Sequence, residues 1–288
     1  MNRIRKGFCL VPNPFNAKQI SRVSLAPGQV DAFVFWSKNP KPMLARLPEL
    51  DDHGFRYYFQ FTLNDYPRVL EPAVPAVERR IDTFHCLAQA LGPQRVVWRY
   101  DPILVTRTTD YDFHAATFER LAKALQGATR RVVLSIVDRY RKTDQHMAAL
   151  NDPSLAITPD APNAPRMLQL LRYMTEVAQA VGIQPFSCAE AQDFSAVGVR
   201  PGSCIDPELI ATLGGSPATK KDLGQRTHCR CVVSRDIGSN DTCLFGCPYC
   251  YATRSDPLAR ARHAQHDPAS PFLVAGNVGT PASADAPG

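Results

Sequence analysis

Short runs of β-branched and aromatic residues alternate along this chain with stretches of helical periodicity. No other feature limits its fold as strongly. Strands are expected at Ala32–Trp36, Arg56–Leu63, Arg95–Tyr100, Arg131–Val137, Ile183–Cys188 and Cys231–Ser234. Helical periodicity falls between them, over Val77–Leu91, Phe113–Leu125 and Arg166–Val181, the last stopping at Gly182. Asp206-Pro207-Glu208 opens a short helix through Leu213, which Gly214-Gly215 closes. Strands a few tens of residues apart, with helices between, imply βαβ units and an α/β fold on a mostly parallel sheet. An earlier segment, Phe8–Val11 and Arg22–Leu25 around Pro12-Asn13-Pro14-Phe15-Asn16, reads as a hairpin or an ordered loop.

Composition closes off several classes. With 44% hydrophobic and 21% charged residues, the 288-residue chain is neither disordered throughout nor fibrous. No stretch approaches a membrane span of about 18 apolar residues. The opening Met-Asn-Arg-Ile-Arg-Lys-Gly has no apolar run behind it, so a signal peptide is not expected and a cytoplasmic protein is. The formal charge of +6, from 33 basic and 27 acidic residues, permits an anionic or nucleic-acid substrate without requiring one. The segment from Gly276 to Gly288 is rich in Ala, Pro, Gly and Ser and is expected to be a disordered tail behind one domain over 1–275.

Nine cysteines, an odd number in a chain of cytosolic character, argue against a disulfide framework. Five crowd together as Cys229, Cys231, Cys243, Cys247 and Cys250. Cys243-Leu-Phe-Gly-Cys247-Pro-Tyr-Cys250 is a C-x3-C-x2-C run, able to wrap three corners of a [4Fe-4S] cluster and leave one iron open. The alternative is a structural zinc, completed by Cys229, Cys231 or His228, although the run lacks paired-knuckle spacing. Cys229 and Cys231, at i and i+2, point the same way if extended. With Cys188 and Cys204 they are a candidate second metal set, for zinc or a second iron–sulfur cluster. Cys9 and Cys86 are expected to pack as small hydrophobes.

Five of the expected strands turn polar at the C-terminal end: Ser37-Lys38-Asn39, Asn64-Asp65, Arg99-Tyr100-Asp101, Asp138-Arg139 and Ala189-Glu190. In parallel β/α folds that edge is where ligands bind. Lys38, Asn64, Arg99, Asp138 and Arg139 are therefore candidates for a substrate pocket, the cations for a carboxylate or phosphate. A salt-bridge role is the competing reading for each.

The cysteine spacing, with Tyr249 before the last thiol, resembles the signature of the radical S-adenosylmethionine (SAM) superfamily. Further blocks extend the likeness: Phe35–Pro40, Arg99–Ile103, Cys188–Glu190, Ser203–Asp206, Lys221–Arg226 and Cys229–Gly238. Together they resemble an uncharacterised bacterial domain-of-unknown-function family whose C-terminal cysteine cluster is similar to that of radical-SAM enzymes. Its members are sometimes labelled DNA repair photolyase-like. The resemblance covers the chain to about residue 275. It implies a [4Fe-4S] cluster on Cys243, Cys247 and Cys250, and SAM on the open iron. It also implies reductive cleavage of SAM to a deoxyadenosyl radical, hydrogen abstraction from an unknown substrate, and an electron donor such as flavodoxin or ferredoxin. By the same analogy Tyr249, Asp101 and Glu190 are candidates for contacting SAM. The competing functional reading is a zinc- or iron–sulfur-binding module that recognises nucleic acid or an anionic metabolite without radical chemistry.

Two departures follow from the resemblance. Family members typically open with a strand and a Ser-Arg-Arg-Thr-Asp-Ile-Pro stretch that this sequence lacks. Either the start is misassigned, which in-frame upstream DNA would reveal, or a barrel strand is lost. In ordinary radical-SAM enzymes the cysteine loop follows the first core strand, whereas here it lies near the C-terminus. If Cys231–Ser234 is a strand and Ala252–His263 a helix, the cluster-bearing βα unit is permuted to the C-terminus of a partial or near-complete (β/α) TIM-type barrel.

Overall fold

The structure, a computed structural model, describes residues 1–13 and 16–274. Its chain divides into two compact units. The expected tail at 276–288 lies outside the described residues, as do Pro14 and Phe15.

One unit comprises Met1–Val30, Arg235–Gly246 and the chain from Ala252 onward. Helix α1 (Asn2–Lys6) leads through Gly7 into β1 (Phe8–Asn13), which pairs antiparallel with β2 (Asn16–Ser24). The hairpin reading of this segment is therefore the right one. Within the same unit, Leu10 N–H bonds the Pro271 carbonyl at 3.0 Å.

The other unit holds Asp31–Ser234 and Cys247–Tyr251. Six strands run in it: β3 (Phe33–Ser37), β4 (Tyr57–Thr62), β5 (Val96–Ile103), β6 (Arg131–Ile136), β7 (Gln184–Cys188) and β8 (Arg200–Gly202). They pair in chain order, every pair parallel. Short helices α2 (Lys41–Leu44) and α3 (Leu47–Asp52) cross from β3 to β4. The longer crossings are α4 (Val77–Leu91), α5 (Tyr111–Ala124), and α6 (Arg141–Ala148) with α7 (Pro165–Ala180); α8 (Pro207–Thr212) follows β8. The five strands expected first are present, with no end moved by more than three residues. Helix α4 spans its expected residues without change.

A parallel sheet covered on both faces needs apolar residues on both sides of each strand. Strand β4 shows this: Tyr57, Tyr58, Phe59, Gln60 and Phe61 are all buried. Against one face, Trp98 stacks on Phe118 of α5 at 4.8 Å and Phe61 on Phe84 of α4 at 5.0 Å. On the other face Tyr58, Val97 and Val133 meet Leu209 and Ile210 of α8. Asp206 caps α8 by accepting from Glu208 N at 2.9 Å and Leu209 N at 3.3 Å, as the Asp-Pro-Glu signal anticipates.

Three expectations need correction. Cys231–Ser234 is no strand: within it only Val232 forms a bridge, to Lys221. The segment lies instead in a loop pinned by isolated hydrogen bonds, Asp222 N to the Cys231 carbonyl and Val232 N to the Ile205 carbonyl. The helix expected at Ala252–His263 starts later, as α9 (Asp256–Ala264), because Ser255 supplies the cap to Leu258 N and Pro257 sits in the first turn. The strand–loop–helix unit supposed to have moved to the C-terminus is thus not formed as one. Finally, Cys86 is exposed on α4 rather than packed, whereas Cys9 is buried.

Candidate functional site

Parallel register places Gln60 beside Val97, and Arg99 beside Thr62 and Val133. Alternation along each strand then puts Tyr58, Gln60, Val97 and Arg99 on one face. The loop after β8 crosses that face. Tyr58 Oη and Gln60 Nε2 both donate to the Cys204 carbonyl, at 2.5 Å and 3.0 Å.

Arg99 is the hub of this layer. Its side chain is buried, donating from Nε to Asp101 Oδ2 at 2.9 Å and from Nη1 to Gln60 Oε1 at 3.3 Å. Nη1 also faces Cys204 Sγ at 2.8 Å. Burial alone would lower the guanidinium pKa, but Cys204, Asp101 and Cys188 outweigh it and keep the charge in place. Asn64 is buried and tied to the backbone of Asp101: Nδ2 donates to its carbonyl at 3.1 Å and Oδ1 accepts its N–H at 3.2 Å. Arg99 and Asn64 therefore shape the site from within.

Glu190 follows β7 and accepts on Oε1 from Ser135 Oγ at 3.1 Å and Ile136 N at 2.9 Å. Burial pushes its pKa up to about 7, with Asp138 and Asp101 adding and its hydrogen bonds opposing. A carboxyl poised there can take or release a proton near neutral pH. Asp138 pairs with Arg226 at the surface, and Arg139 pairs with Asp144 of α6 at 3.1 Å. Arg139 also borders a surface depression with Met147, Asn151 and Ile157.

The turn Cys247–Tyr251 belongs to the same unit as this sheet. Cys250 N–H bonds the Cys247 carbonyl at 3.0 Å. The buried Tyr249 donates its hydroxyl to Glu71 Oε1 at 2.5 Å. Glu71, itself buried in the segment after β4, also receives Lys38 Nζ at 2.7 Å. Arg80 of α4 lies 3.6 Å from Glu71 Oε2 and donates to the Asn64 carbonyl at 2.6 Å. Lys38 stands 5.6 Å from the centre of the Tyr249 ring. Burial pushes the Cys247 thiol up to about 12, Lys38 opposing while Glu71 and Cys250 add. Lys142 holds the Tyr251 carbonyl, and the Tyr251 ring meets Tyr140 at 5.7 Å. Cys243 is exposed and belongs to the other unit.

Four other thiols come together. Cys204, Cys229 and Cys231 form one buried cluster, with Cys188 packed against it. None of the nine cysteines is in a disulfide.

Sequence reasoning missed Glu71, Gln60 and Trp36. Glu71 lies in an irregular segment, where nothing marks a carboxylate as buried. Gln60 interrupts an aromatic run, and that interruption was the available signal. Trp36 is nearly half exposed beside Gln60 in the register, an unusual place for so large a ring.

These features define an α/β protein whose polar and thiol side chains gather at the C-terminal ends of a six-stranded parallel sheet. The chain belongs to the family described as Domain of unknown function (DUF1848), whose model matches residues 1–252. No curated protein matches the sequence. Among the described residues no helix is long and apolar enough to cross a membrane.

Proposed function

We propose that this protein is an iron–sulfur enzyme of radical-SAM type. The cluster ligands, Cys243, Cys247 and Cys250, are argued from the C-x3-C-x2-C spacing. Soft thiolates are the donors that iron–sulfur clusters take. Among the described residues no three His, Cys, Asp or Glu side chains stand as a ready metal set. The fit therefore rests on donor chemistry and on the turn. When bound, the cluster would supply the electron that cleaves SAM reductively. We read the six-stranded sheet as part of a (β/α) barrel.

The observation that carries the reading is the anchoring of Tyr249. The aromatic residue between the last two thiols is fixed through its hydroxyl to Glu71, and Glu71 is held by Lys38 and Arg80. A turn that presents two thiols is thereby fastened to the loops at the strand ends, and its backbone stays in place when sulfur donors are engaged. Lys38 sits in this anchor and lowers the cost of charging Cys247. Arg99 and Asn64 orient Asp101, whose carboxylate is assigned to the amino or hydroxyl groups of SAM. Glu190 is assigned the exchange of a proton with bound SAM or substrate. Trp36 offers an open aromatic face on the same layer.

Anaerobic purification followed by reconstitution with iron and sulfide tests this. A brown protein that bleaches with dithionite and converts SAM to 5′-deoxyadenosine supports the proposal. A colourless protein, or cleavage retained in Cys247→Ala, overturns it.

A further inference from the structure

We propose that Cys188, Cys204, Cys229 and Cys231 bind a single zinc ion, at a site independent of the cluster proposed above. All four belong to one compact unit and come from three places: the end of β7, the loop between β8 and α8, and the loop before Ser234. Cys188 Sγ lies 2.7 Å from Cys204 Sγ, and Cys204 packs with Cys229 and Cys231 in one buried cluster.

The surroundings suit sulfur that carries negative charge. Ile205 N–H points at Cys231 Sγ at 3.3 Å, Cys231 N–H at Cys229 Sγ at 3.4 Å, and the buried Arg99 guanidinium faces Cys204. Thiols that pack merely as small hydrophobes need none of these donors. Thiolates around a metal gain from all of them, because outer hydrogen bonds spread the charge of the ligand sulfurs.

The loop that carries two of the ligands needs a tie. Residues 216–234 form no helix or strand, only the Lys221–Val232 bridge. Hydrogen bonds from Asp222 N to the Cys231 carbonyl and from Val232 N to the Ile205 carbonyl pin it just where the thiols meet. An ion shared by both strand-end loops and this segment would fasten a stretch with little regular structure of its own.

Size decides between a single ion and a cluster. A cubane places four irons and four sulfides among its thiolates, whereas a single ion needs only the space among four cysteines that already pack together. Tetrahedral zinc with bonds of about 2.3 Å holds its sulfurs about 3.8 Å apart. Cys188 and Cys204 stand closer than that, so binding asks them to part by about an ångström, a small change in side-chain torsion. Among the described residues no group of three such side chains is at ligand spacing as it stands.

Metal analysis of the full chain, expressed in zinc-containing medium and purified without added metal, is the test. About one zinc per chain is expected, retained in Cys247→Ala and lost in the double variant Cys229→Ser/Cys231→Ser. Cobalt replacement should give the intense near-ultraviolet sulfur-to-metal band of a thiolate site. Zinc retained in the double variant, a zinc-free wild type, iron that leaves with these two thiols, or a Cys188–Cys204 disulfide under reducing conditions would each overturn the proposal. If the double variant does not fold, wild-type stoichiometry and the cobalt spectrum decide alone. Failure of SAM cleavage with zinc present would remove the enzymatic reading and leave this one standing.

Discussion

The hydroxyl of Tyr249 donates to the carboxylate of Glu71 at 2.5 Å, both groups buried and 178 residues apart in the chain. Glu71 has two further partners, Lys38 at 2.7 Å and Arg80 at 3.6 Å. One buried anion thus gathers the ends of β3 and β4, the start of α4 and the cysteine turn.

Tyr249→Phe should cost about 2 kcal/mol, the value of a buried hydrogen bond to a charged acceptor. Glu71→Ala should cost more, about 3–5 kcal/mol, because it leaves Lys38 and Arg80 without their shared counter-charge. Urea unfolding measures both as shifts in midpoint. An Ala variant as stable as wild type would show that the anion does not hold these elements together.

On the proposed ligand set, loss of Cys247 or Cys250 should remove iron as completely as loss of Cys243. Three donors acting as one set would make the iron content and visible absorption of the three single Ala variants fall together. A Cys243→Ala protein that keeps its full iron would remove that residue from the ligand set.

Gly198 has a φ of +83°, and a Cβ there would lie 2.6 Å from Thr175 Cγ2 on α7. Gly198→Ala should therefore cost about 2–4 kcal/mol, from left-handed backbone strain plus overpacking. Gly127 has a similar φ of +80° but open space around it, so Gly127→Ala should cost only about 1 kcal/mol. Adding Thr175→Ser to Gly198→Ala removes the clashing methyl and should recover part of the loss. Equal melting shifts for the two Ala variants would contradict the steric account.

His114 is buried on α5, with Nδ1 accepting from Tyr100 Oη at 2.9 Å and Nε2 donating to the Leu104 carbonyl at 3.1 Å. Burial lowers its pKa from 6.5 to about 4, opposed by the bond to Leu104 and by Asp110. The edge of Tyr66 also packs on the ring. Since the folded pKa is the lower one, the contribution is whole above pH 6.5 and is lost as pH falls toward 4. Wild type should lose about 3 kcal/mol more than His114→Gln between pH 7 and pH 4. Chemical denaturation at several pH values checks this. Parallel stability curves would mean that His114 does not titrate between those limits.

The sequence announced the sheet. Patterns of period two and 3.6 depend only on which faces meet water, so β3–β7 and α4, α5 and α7 could be read directly from the chain. Capping chemistry is just as local, and Asp206-Pro207-Glu208 began its helix where expected. The same logic failed at Cys231–Ser234, where short apolar runs look alike whether they join a sheet or fasten a loop. The strand-end polar residues were also visible as a set, but their roles were not. Lys38, Arg99, Asp138 and Arg139 were read as able to face a ligand, and each has an oppositely charged partner within the fold.

By itself, then, the amino-acid order determined the alternation of strand and helix and the spacing of Cys243, Cys247 and Cys250. Both are properties of neighbours along the chain. Only the tertiary structure decided that Glu71 anchors Tyr249, that Arg99 faces Cys204, and that Cys188, Cys204, Cys229 and Cys231 converge. Those encounters join residues far apart in sequence. They arise because parallel strands in fixed register bring separate loops to a common edge, which no local pattern encodes.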